Sequence, residues 1–168
     1  ELHKLIEHEI HLAESGQKGR IILKMNALQD SAMIDKLYEA SSRGVEIDLI
    51  VRGICCLIPG QPYSKNIKIT RIVDSFLEHA RIWYFGNNNS PKVFLGSPDW
   101  MRRNLYRRIE AVTPVLDIDL RNEIINLLNI QLSDNQKACF VDENLKNVFK
   151  NDILQPPILL YFKLAIFP

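Results

Sequence analysis

Two short β-branched runs flank an amphipathic stretch of helical length between Arg20 and Val51, and this arrangement restricts the chain to folds that contain a parallel strand pair. Arg20 to Met25, Arg-Ile-Ile-Leu-Lys-Met, reads as a strand, and Asn26 to Asp30 reads as a turn. Ser31 to Arg43 then reads as a helix closed by Gly44. Val45 to Val51 alternates apolar and acidic residues before becoming wholly apolar, as a strand does when it passes from a partly wet edge into a core. Two such strands joined through a helix form a β-α-β unit, whose crossover is almost always right-handed.

The flanking segments extend the same class. Leu2, Leu5, Ile6, Ile10 and Ala13 fall at spacings of three and four, which predicts an amphipathic helix that stops near Gly16 and Gly19. Pro59-Gly60 and Pro62 mark a loop. Beyond it Asn66 to Arg71 reads as a strand, Ile72 to Leu77 as one or two helical turns, and Arg81 to Phe85 as a strand. The Gly86 to Pro91 turn leads into a hairpin partner at Lys92 to Leu95. Arg108 to Val115 is a strand candidate, Asp117 to Leu132 a helix, and Lys137 to Val141 a short last strand. The expectation is an α/β fold, a mixed β-sheet flanked by helices, with one domain over 1–150 and a tail of uncertain structure over 151–168, where Gln155-Pro156-Pro157 breaks any helix. With 46% hydrophobic and 24% charged residues over 168 positions, such a core can be filled and wholesale disorder is excluded.

Charge and cysteine usage narrow the function classes. Twenty-one Lys and Arg stand against 20 Asp and Glu, so bulk charge does not favour a nucleic-acid coat, and any anion site must be local. Three cysteines, two of them adjacent at Cys55 and Cys56, cannot complete a disulfide framework and lack zinc spacing; a reducing, cytoplasmic compartment follows. The apolar run Ile158 to Phe167 is shorter than the ~20 residues a bilayer requires and contains Lys163, so no membrane span is expected. The chain opens on Glu1 inside a helical pattern without a basic and then apolar leader, which predicts no signal peptide and a piece of something longer.

In an α/β sheet the residues just past the strand ends line the ligand edge. Lys24-Met25-Asn26, Arg52-Gly53 and the His79 to Arg81 stretch hold such positions, and Arg102, Arg103, Arg107 and Arg108 put four arginines within seven residues. Arginine grips two phosphate oxygens with one planar fork and keeps its charge, whereas histidine exchanges protons near neutral pH. One histidine among several arginines therefore suits phosphoryl transfer. Plainer readings stand beside this one. A histidine near a strand start is more often a satisfied structural group, and clustered surface arginines are more often a solvated face paired with acids such as Glu110. Arg52, directly after three apolar residues, is better placed than most to be held. His8 and His11 have ligand-capable spacing but no third partner in register, so no metal site is expected.

Four strings sharpen this picture: Lys24-Met-Asn26-x-Leu28; Gly44-Val45-x-Ile47-Asp-Leu-Ile-Val-Arg52-Gly-Ile-Cys-Cys-Leu57-x-Pro59-Gly60; Phe76-Leu-Glu-His79-x-Arg81-Ile-x-Tyr-Phe-Gly-Asn87; and Asp99-Trp-Met-x-Arg-Asn104-Leu-x-Arg-Arg108. Together and in this order they resemble the carboxy-terminal catalytic domain of bacterial polyphosphate kinase, densely from about Arg20 to Pro114. The resemblance implies a phospholipase-D-like fold and a kinase that reversibly moves the terminal phosphate of ATP onto inorganic polyphosphate, with Mg2+ and a phosphohistidine. It implies ATP and phosphate contacts from Arg52, His79 and Arg108, with His79 catalytic as a proton donor to the leaving group. His79-x-Arg81 resembles a degraded H-x-K motif, with Gly96-Ser97 as the Gly-Ser that commonly follows it.

The resemblance also implies what is lacking. In that family the phosphohistidine and the magnesium-binding arginines lie in a preceding domain, so this chain is expected to supply half an active site. It should bind ADP, ATP or polyphosphate weakly and not autophosphorylate; a homo-oligomer is left open. Arg102 stands where the pattern has proline. Two other functions compete: a phospholipase-D-type phosphodiesterase or nuclease with His79 as nucleophile, and a non-catalytic polyanion-binding module built on Arg102 to Arg108. The missing lysine at Arg81 and the absence of a following Asp at the usual interval count against the first.

Overall fold

In the computed structural model, which describes residues 1–150, eight strands form one mixed sheet with helices on both faces. The elements are α1 (Leu2–Glu14), β1 (Arg20–Met25), α2 (Ser31–Ser42), β2 (Glu46–Val51), a short 3-10 turn at Pro62–Ser64, β3 (Ile67–Arg71), β4 (Ile82–Phe85), β5 (Lys92–Gly96), α3 (Arg102–Arg107), β6 (Val112–Pro114), α4 (Ile118–Ser133), β7 (Cys139–Val141) and β8 (Asn147–Phe149). The strand order is β6-β5-β4-β1-β2-β3-β7-β8. The expected β-α-β unit is present: β1 and β2 run parallel, with Leu23 opposite Leu49 and Met25 opposite Val51. β3 continues the parallel set, and all other neighbours are antiparallel. The tail over 151–168 lies outside the described residues.

Alternation along β1 sorts the core. Ile21, Leu23 and Met25 face Ile6, Ile10, Leu37 and Trp83 in the larger cluster under α1 and α2. Ile22 belongs to a second cluster with Ile50, Ile82 and Leu128, packed under α4. The strand period therefore sends Lys24 to the α4 face with Ile22, where it is buried. Two helices start on aspartate caps: Asp30 accepts from the Met33 amide at 3.1 Å, and Asp117 accepts from Asp119 and Leu120 at 2.9 Å each.

Ile72 to Leu77 differs from expectation. It carries no helical turn; Ile72 is buried in the second cluster, while Val73, Phe76 and Leu77 are exposed. The Asp74 carboxylate takes the Ser75 amide at 2.7 Å, a local side-chain acceptor that competes with a helical ladder. The strand anticipated over Arg108 to Val115 is confined to Val112–Pro114; α3 ends at Arg107, and Arg108 to Ala111 carry neither helix nor strand. Neither α3 nor β8 was anticipated. The Gly86 to Pro91 turn is built on Asn87, Asn88 and Asn89, all at positive φ, a region asparagine tolerates better than most residues.

Candidate functional site

The topology collects several of the singled-out residues at one edge of the sheet. β1, β2 and β3 end there, β4 begins there, and β5 ends there, since Lys24 pairs with Ile82 and Ile82 with Leu95. Arg52 follows β2, and His79 and Arg81 precede β4. β1 lies between those two strands, so the two chain segments leave the sheet about 10 Å apart. Arg108 sits at the end of α3, ahead of β6, whose start faces Gly96 at the same edge.

Loops past the strands are zipped together. Leu28 forms parallel bridges with both Cys55 and Trp100. The Gly53 amide donates to the Asn26 carbonyl at 2.9 Å, and a Cβ on Gly53 would lie 3.0 Å from that oxygen, so glycine permits the approach. Arg71 braces the turn that carries Arg52, donating to the Gly53 carbonyl at 2.9 Å and to Asn147 Oδ1 at 2.8 Å. Arg52 itself is half-buried.

Asp99 is the electrostatic centre of this edge. It accepts from the Asn26 and Ala27 amides at 2.7 and 3.2 Å and from Arg81 Nη2 at 3.0 Å. Burial alone would raise its pKa, but the Arg81 guanidinium and the two amides outweigh burial and hold the carboxyl below its ordinary value. Arg81 is thereby engaged by a carboxylate. The side chain of Asn26 is buried, and neither its amide nitrogen nor its oxygen has a partner among the described residues.

His79 is exposed, while its neighbour Glu78 reaches inward. Glu78 Oε2 accepts from Lys24 Nζ at 2.9 Å and from Gln131 Nε2 at 2.8 Å. Sequence reasoning missed Glu78, Arg71 and Asp99 as parts of this edge. Glu78 and Asp99 lie within two of the quoted strings, where they carried no assigned role, and Arg71 showed only as a charge at the end of β3.

The arginine group does not form one patch. Arg102 and Arg107 line a polar pocket of about 350 Å³ with Tyr106 and the start of α2 at Asp30 to Ala32. Arg108 lines a separate, more apolar groove of about 420 Å³ with Trp83, Phe94 and Leu105. Glu110 does not pair with these arginines at ion-pair distance; it is bonded by Ser97 and by Asn104 Nδ2, the latter at 2.6 Å, and these bonds lower its pKa. Among the described residues no cluster of three His, Cys, Asp or Glu side chains is placed to hold a metal ion, and no helix is long and apolar enough to cross a membrane.

Comparison with known proteins agrees with this fold. Residues 1–155 match the family described as polyphosphate kinase C-terminal domain 2. A polyphosphate kinase of Thermosynechococcus vestitus is 52% identical over 136 residues, covering 80% of this chain and 19% of that protein. The crystal structure of polyphosphate kinase from Porphyromonas gingivalis superposes with a TM-score of 0.93 at 53% identity, over 96% of this chain and 25% of that one. A phospholipase D family member, Nuc from Salmonella typhimurium, superposes with a TM-score of 0.53 at 14% identity, over 74% of this chain and 84% of that one. That last likeness shows the phospholipase-D-like fold alone. The chain spans about a fifth of the length of the curated relatives it matches.

Proposed function

The chain belongs to the polyphosphate kinase family as its C-terminal domain 2, and from that membership we propose that it supplies the ATP- and polyphosphate-binding half of a site that reversibly transfers the terminal phosphate of ATP to inorganic polyphosphate. The observation that carries this reading is the emergence of Arg52 and His79 from one sheet edge on either side of β1, with the backbone of each segment fixed by charged side chains.

In this reading Arg52 grips non-bridging phosphate oxygens, which bear most of the charge throughout a loose phosphoryl transfer. Its turn is braced by Arg71, so the guanidinium starts from a fixed backbone. His79 donates a hydrogen bond to a phosphate oxygen and gives a proton to the oxygen that leaves. Arg108 is a third phosphate contact, reached from the apolar groove side. The phosphoryl acceptor histidine of the first half-reaction comes from outside this chain. In this reading the magnesium ligands also come from outside this chain; Asp99, a carboxylate of this edge, is engaged by Arg81.

The test is transplantation of this chain in place of the matching segment of the Porphyromonas gingivalis kinase, read by ATP-dependent polyphosphate synthesis. Arg52→Ala and His79→Ala should each lower kcat/KM by about 100-fold or more. A folded chimera without synthesis, or one indifferent to both substitutions, would contradict the proposal.

A further inference from the structure

We propose that Glu78 is a positioning residue that fixes the backbone of His79, an inference that rests on the reading of His79 as the proton donor of the site. His79 lies in a stretch between β3 and β4 that carries neither helix nor strand and exposes Val73, Phe76 and Leu77. Regular secondary structure does not locate the imidazole, so side chains must.

Glu78 performs this by joining three elements through one carboxylate oxygen. It takes the Lys24 ammonium from β1 at 2.9 Å and the Gln131 amide from α4 at 2.8 Å, while its own backbone belongs to the His79 segment. Lys24 and Gln131 are 3% and 1% exposed, so the anchor points are buried on the α4 side of the sheet. A buried ammonium needs a partner, and the strand period of β1 leaves Lys24 no route to solvent. On the other side Arg81 Nη1 donates to the His79 carbonyl at 3.1 Å, and Arg81 is itself clamped by Asp99. The main chain of His79 is therefore held from both directions while its imidazole remains exposed to a ligand. Displacement of a catalytic group by about 1 Å costs about 100-fold in rate, so such a tether has a kinetic consequence beyond neutralising Lys24.

The transplanted kinase supplies the test, with two variants. Glu78→Ala leaves the Lys24 charge buried and unpaired, whereas the double substitution Lys24→Met with Glu78→Leu removes both charges together, a change a folded core tolerates better. If Glu78 only neutralises Lys24, the double variant restores normal turnover. If Glu78 positions His79, the folded double variant loses kcat by about tenfold or more while KM for ATP stays within about threefold, and the triple variant that also carries His79→Ala is no slower than His79→Ala alone. A folded double variant with kcat within about twofold of the parent, or losses that multiply, overturns the proposal. Hydrogen exchange of residues 77–81 in the chain itself separates this from the reading on which it rests. Should His79→Ala leave kcat unchanged, the role of His79 falls, yet faster exchange in the double variant still supports the tether and unchanged exchange refutes it.

Discussion

Arg81 meets Asp99 with two donors, Nη2 at 3.0 Å from Oδ2 and Nε at 3.3 Å from Oδ1, and the same carboxylate holds the amides that follow β1. The pair therefore joins the entry to β4 with the exit from β1, and both side chains are largely buried, at 16% and 11% exposure. Removing one partner leaves the other charge uncompensated, so Arg81→Ala should cost about 3 kcal/mol in urea unfolding at pH 7. Asp99 has a depressed folded-state pKa, so its contribution is present above the unfolded value near ~3.9 and is lost as pH falls through the folded value. The stability of the parent should fall more steeply than that of Asp99→Asn when pH is lowered from 5 to 2.

The opposite edge of the sheet is fastened by Glu9. Its carboxylate is fully buried and accepts the Arg20 amide at 2.9 Å and the Asn87 amide at 2.7 Å, tying α1 to the start of β1 and the end of β4. Glu9→Ala leaves the half-buried Arg20 and Asn87 amides without their acceptor and should cost about 2 kcal/mol by thermal or urea unfolding. Gly86→Ala should destabilise the same corner, because its Cβ would lie 2.9 Å from that of Arg20. Neither site contacts the ligand edge. In the transplanted kinase, KM for ATP should therefore stay unchanged in the folded fraction of both variants.

The β-α-β unit was legible because its signal is periodic: Ile21, Leu23 and Met25 against Ile47, Leu49 and Val51 read as strands on any apolar pattern, and Ser31 to Ser42 as a helix between them. α3 was not legible, since its six residues bury only Asn104 and its arginines read as loop charge. β8 was hidden for a related reason, as all three of its residues are exposed and only backbone pairing with β7 defines it. For the site, position past a strand end marked Arg52 and the His79 segment. The pairs that hold them, Lys24 with Glu78 and Arg81 with Asp99, lie 54 and 18 residues apart, and no local pattern announces a contact at such separations.

The three free cysteines should separate by reactivity. Burial pushes the Cys55 thiol up to about 11, so it is almost wholly protonated at pH 8, and burial also raises that of the buried Cys139, whereas Cys56 is exposed. Iodoacetamide at pH 8 should alkylate Cys56 first, with Cys55 and Cys139 at least about tenfold slower, as read by peptide mass spectrometry. Equal labelling of Cys55 and Cys56 under native conditions would contradict the burial of the Leu28 to Cys55 bridge.

Division of the arginines between two pockets distinguishes a nucleotide contact from a general attraction for polyanions. Arg102 and Arg107 face the start of α2, whereas Arg52 belongs to the edge shared with His79. ATP is short and engages only the groups around its phosphates, but a long polyphosphate also feels every nearby cation and releases its own counterions on binding. Arg52→Ala should therefore weaken both ligands in calorimetric titration. The double variant Arg102→Ala with Arg107→Ala should weaken only long polyphosphate, flattening the slope of log affinity against log salt by about one to two. Loss of ATP binding in that double variant, with Arg52→Ala silent, would instead place the phosphates in the 350 Å³ pocket beside Asp30. That outcome would move the nucleotide away from His79 and remove the basis for its role as proton donor.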